Sequence, residues 1–113
     1  MSENKFPEIP IDEFVAIHAN PKLVLNNLRL RTNTFRVNVK KLPKKAKEVK
    51  AELLQELRLV TQGLEKADRM LQHGGNRNHA HATAAIWRAE KFLEQLENGL
   101  KMVHEKLKRL ENT

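Results

Sequence analysis

Between Lys45 and Leu110 the apolar residues recur at alternating intervals of three and four, interrupted once by a pair of glycines. No other feature of the 113-residue chain restricts its fold so tightly. Before the break the alternation runs through Leu53, Leu57, Val60, Leu64, Ala67 and Leu71. After it come Ile86, Ala89, Leu93, Leu96, Leu100, Val103, Leu107 and Leu110. Such spacing puts every member on one stripe of an α-helix, the a/d seam of a heptad pattern. At the break, His73-Gly74-Gly75-Asn76-Arg77-Asn78, glycine takes up positive φ without steric cost, and Asn78 is a candidate side-chain cap for the next helix. The spacing therefore predicts an all-α fold built on a long antiparallel helical hairpin, with helices at about 44–72 and 79–111. At 1.5 Å per residue the arms are roughly 40 and 50 Å long, so the second overhangs the first.

The chain ahead of the hairpin is more varied. Residues 1–10, with Pro7 and Pro10, read as an extended lead-in, and 11–113 as one helical domain. Pro10-Ile11-Asp12-Glu13 opens a short helix over 11–19, with proline and acids where the macrodipole favours them. Asn20-Pro21 stops it and starts a second short helix over 21–31. Across 32–43 the period changes: Phe35, Val37 and Val39 alternate with Arg36, Asn38 and Lys40, which predicts a basic loop or a short extended segment at 33–40. A strand followed by two helices resembles, in element order over Thr34–Val39, the ribbon-helix-helix group of DNA-binding dimers. The helices here are far longer, and no membership is assigned.

A two-helix hairpin leaves one flank of each helix wet. Leu54, Leu59, Ala85, Trp87, Phe92 and Met102 lie off the main seam and form a second apolar strip. Either the N-terminal helices or a second copy of the chain must cover it. The expectation is a homodimer closing a four-helix bundle, with Trp87, Phe92, Leu54 and Met102 as interface candidates.

Charge is unevenly distributed. The chain carries a formal +7, yet nine basic residues and the single acid Glu48 fall between Asn27 and Lys50. Arg29, Arg31, Arg36, Lys40, Lys41, Lys44, Lys45 and Lys47 are therefore the candidate contacts to a nucleic-acid backbone or another anionic partner. With no tyrosine and few aromatics, base stacking on single strands is disfavoured, which leaves duplex backbone contact.

His73, His79 and His81 gather near the reversal, but residues two apart on a helix point about 200° from each other and no acid completes a ligand set, so no metal is expected. Arg77, His79 and His81 at a helix start form a candidate anion site. The acids sit at i,i+4 from cations, as on solvated helix faces, and no catalytic motif is present. The sequence thus reads as a non-enzymatic, cofactor-free binding or regulatory protein. Two further classes remain: a helical adaptor or inhibitor acting through the apolar face, and an oligomer that sequesters a small nucleotide-like anion. Without cysteine, an apolar leader behind Met1 or a run long enough to span a membrane, a cytoplasmic location is expected.

Overall fold

The computed structural model describes residues 9–111, and the regular structure among them is entirely helical. Four helices follow one another: α1 over Ile11–Ala19, α2 over Pro21–Lys40, α3 over Lys47–His73 and α4 over Asn76–Glu111. A 3-10 turn at Lys44–Ala46 leads into α3. The expected lead-in falls, up to residue 8, outside the described residues.

Gly74 and Gly75 take φ of 75° and 91°, where a Cβ is strained, and α4 folds back along α3 from that point. Asn78 does not cap α4. Its side-chain amide donates to the Gly74 carbonyl at 2.8 Å, and the helix starts earlier than expected, at Asn76, with the His79 N–H donating to the Gly75 carbonyl at 2.9 Å. Leu53, Leu57, Val60, Leu64 and Ala67 of α3 join Ile86, Ala89, Leu93, Leu96 and Leu100 of α4 in one buried cluster. The seam then opens. Val103 and Leu107 are half-buried and Leu110 is exposed, because α3 begins at Lys47 and the last turns of α4 run past it. At 36 residues α4 is about 54 Å long, which matches the 55 Å long axis of the molecule.

Residues 33–40 are not extended. They are the second half of α2, a 20-residue helix, so the expected break at Arg31 is absent and the likeness to the ribbon-helix-helix element order goes with it. Leu25, Leu28, Thr32, Phe35 and Val39 are spaced three and four apart and all are buried, whereas Val37, which the two-residue alternation grouped with Phe35 and Val39, faces solvent. The third seam is masked by Thr32. Its hydroxyl donates to the Leu28 carbonyl one turn back at 2.7 Å, so a polar residue occupies an apolar position with its proton satisfied. Burial of Leu25, Leu28, Phe35 and Val39 stabilises by about 1.5–3 kcal/mol per side chain, which outweighs the few tenths of a kcal/mol that each β-branched residue costs a helix. Pro43 disfavours the helical conformation for its predecessor, and the chain turns through Lys41–Ala46 into α3.

Most of the hairpin's free flank is therefore covered by the chain itself, although Leu59 and Met102 of the second apolar strip stay exposed. α2 lies against both α3 and α4, and α1 packs on the first half of α4 with Ile17 buried. Asn20 ends α1 and begins α2, its side-chain oxygen accepting from the Leu23 N–H at 3.4 Å, with Pro21 in the first helical position.

Candidate nucleic-acid interface

The basic block is divided between α2, the following turn and the start of α3, and the fold sorts its members into two groups. Arg29 donates to Asp68 of α3 at 3.1 Å. Arg31 reaches Glu97 of α4 through two donors, at 2.7 and 3.3 Å, with Glu90 at 3.8 Å. The Glu97 hydrogen bonds hold the Arg31 guanidinium even more firmly in its charged form than usual. These two arginines neutralise the protein's own carboxylates and bolt α2 to its neighbours.

The lysines are placed differently. Lys40, Lys41, Lys44, Lys45 and Lys47 are exposed, and among the described residues none has a carboxylate within ion-pair distance. They surround the α2–α3 turn at one end of the bundle. No acid occurs from Phe14 to Lys47, a longer acid-free stretch than the basic block itself and a sequence signal for this surface that the count of cations overlooks. Glu48 is the nearest acid along the chain, in the first turn of α3. No side chain caps that helix start, and its macrodipole favours anions, so each lysine there opposes the local field by roughly 0.3–1 kcal/mol. Arg36 is intermediate: it donates to Asn33 at 2.7 Å and is half-buried in the groove between α2 and α3.

At the opposite end the candidate anion residues are not brought together. His79 turns toward α1, where its Nε2 lies 3.0 Å from the His18 carbonyl and its ring stacks on His18 with centroids 4.0 Å apart. The carbonyl accepts, so Nε2 carries the proton. Thr83 spends its own proton on the His79 carbonyl at 2.9 Å and so accepts from His18 Nδ1 at 3.0 Å. Arg77 is exposed, and it shares with His81 a side of α4 that His79 does not. Among the described residues there is no group of three or more potential metal ligands, and every buried side-chain nitrogen and oxygen has a partner.

Of the expected interface residues, Trp87, Phe92 and Leu54 are half-buried and pack against the chain's own core, Trp87 beneath Glu13 of α1. Met102 is 66% exposed on the overhang of α4. An apolar line does reach solvent, but on α2: Leu23, Leu30 and Val37, at seven-residue intervals, are all more than half exposed. No helix among the described residues is long and apolar enough to cross a membrane. Comparisons with protein-family models, curated proteins and solved structures find no match to this chain.

Proposed function

We propose that this is a small non-enzymatic regulatory protein that grips the backbone of duplex nucleic acid through the end of the bundle around the α2–α3 turn. The reading rests on one observation: among the described residues Lys40, Lys41, Lys44, Lys45 and Lys47 have no carboxylate within ion-pair distance, whereas Arg29 and Arg31 of the same basic block are paired with Asp68 and Glu97. Unpaired surface cations release condensed counterions when they meet phosphates, and that release drives backbone binding. The lack of an exposed aromatic surface at the turn among the described residues favours duplex over single strands. Phe35 is buried, and Phe14, Trp87 and Phe92 are half-buried away from the turn. On this reading the protein acts in the cytoplasm alongside nucleic acid.

The test is a salt titration of duplex binding. Five phosphate contacts give a slope of log K against log salt near −4.5. Lys41→Gln/Lys44→Gln/Lys45→Gln should remove about 2.7 of that slope. Absence of duplex binding at low salt would end this reading.

The line Leu23, Leu30 and Val37 supports a second role, contact with another helix, and the expected homodimer is carried there. Lys22 and Arg36, which have no carboxylate within ion-pair distance among the described residues, lie on the same helix, so self-association through it strengthens as salt screens their repulsion. Light scattering at low and high salt reads the difference, with Leu30→Asn expected to be monomeric throughout. An acidic amphipathic helix of another protein would fit the same line and would bind more weakly as salt rises.

A further inference from the structure

Arg36 and Lys40 stand one helical turn apart on the side of α2 that faces α3, and Arg58 of α3 meets them across an open groove of about 430 Å³. Leu54 and Leu57 line its apolar part, Leu57 almost fully buried, so charges there act over a surface less polarisable than water. Arg58 is exposed and, among the described residues, has no carboxylate within ion-pair distance. The bond from Arg36 to Asn33 fixes one edge of its guanidinium and leaves other N–H groups to donate. Thr61 has committed its proton to the Leu57 carbonyl at 3.2 Å, and Gln62 adds an amide at the rim. Glu65 is the one acid in the lining. Three cations against one carboxylate, drawn from two helices, leave the groove short of negative charge.

We infer that the α2–α3 groove seats a phosphate of the duplex backbone, held between Arg36, Lys40 and Arg58. The inference rests on the reading above and extends it to a residue outside the basic block, Arg58. Two arginines and a lysine line one opening, and a planar guanidinium can donate two parallel N–H groups to phosphate oxygens. The groove is continuous past Arg36 with a smaller depression of about 230 Å³ ending at Arg29. At its other end Lys40 adjoins Lys41, so a backbone laid on the turn lysines continues into it.

The experiment compares the full chain with Arg58→Gln and Glu65→Gln, both surface changes, in duplex binding across a salt series, with circular dichroism confirming helicity. Arg58→Gln should reduce the slope of log K against log salt by about 0.9 and weaken binding about fivefold to tenfold at 0.1 M salt. Glu65→Gln should tighten binding, because it removes the only charge in the groove that repels phosphate. A role confined to solvation would move neither. If the wild-type chain binds duplex and both variants match it, the groove is not a phosphate seat, although the turn lysines keep their role. If the wild-type chain binds no duplex, both readings fall. A parallel titration with inorganic phosphate separates the sources: a phosphate site dependent on Arg58, with duplex binding indifferent to Arg58, overturns the backbone assignment in favour of a small anion.

Discussion

The indole N–H of Trp87 donates to Oε1 of Glu13 at 2.7 Å, and Lys91 Nζ lies 2.9 Å from the same oxygen. One carboxylate of α1 is thereby held by two donors one turn apart on α4. Together with the stacked His18 and His79, this pair fixes where α1 lies, and α1 in turn shields a tryptophan that the hairpin alone would leave wet.

The Trp87 and Lys91 hydrogen bonds, in that order, hold the Glu13 carboxyl below its ordinary value of 4.5. A depressed folded pKa means that the contact stabilises above the unfolded value and is lost as pH falls through the folded one. Fluorescence of Trp87, the only tryptophan, should therefore show an acid transition below pH 4.5 that disappears in Glu13→Gln. Lys91 is raised above 10.5, chiefly by the Glu13 hydrogen bond, so its share is present below that value and lost only in stronger alkali. A wild-type acid profile identical to that of Glu13→Gln contradicts the assignment.

Separate roles for arginines and lysines should show as separate phenotypes. Arg31→Gln removes a partly exposed, two-donor ion pair and should lower stability by up to about 1 kcal/mol while changing duplex affinity less than about twofold. Lys44→Gln/Lys45→Gln should leave urea unfolding unchanged and remove about 1.8 from the salt slope. Equal loss of affinity in both variants would mean that the Glu97 bridge opens on binding.

Thr34 lies inside α2, with its hydroxyl donating to the Leu30 carbonyl at 3.1 Å. Thr34→Pro should cost about 3 kcal/mol or more, because proline removes a helical hydrogen bond and its ring meets the carbonyl four residues back. Chemical denaturation followed by circular dichroism reads this directly. A loop or an edge strand at 33–40 would tolerate the change.

The glycines should respond in opposite directions. A Cβ at Gly99 meets nothing within 4 Å, and at Gly63 it meets the Ala89 Cβ at an ordinary 3.7 Å. Alanine at either position should stabilise by roughly 0.5–1 kcal/mol, since both lie within helices. Gly74→Ala should destabilise by roughly 1–3 kcal/mol, because φ 75° with ψ −178° is a backbone conformation essentially reserved for glycine. Urea midpoints at constant m-value provide the measurement. Destabilisation by Gly99→Ala would show that another molecule packs against that face.

Periodicity along the chain determined α1, α3 and α4 and the reversal between the last two, because each depends on residues within a turn or two of one another. Asn20-Pro21 and Gly74-Gly75 mark their boundaries through backbone geometry alone. The second half of α2 was not legible as a helix: Thr32 interrupts the apolar stripe, and Phe35, Val37 and Val39 fit the two-residue repeat that predicts a loop or extended segment. The surface offered by α3 and α4 decided it by burying Leu28, Phe35 and Val39 together. The basic block was legible as a composition but not as a site. Asp68 lies 39 residues from Arg29, and Glu97 lies 66 from Arg31, so only packing brings those charges into contact and leaves the turn lysines unpaired. Helices follow from neighbours in sequence. Which cations are free depends on neighbours in space.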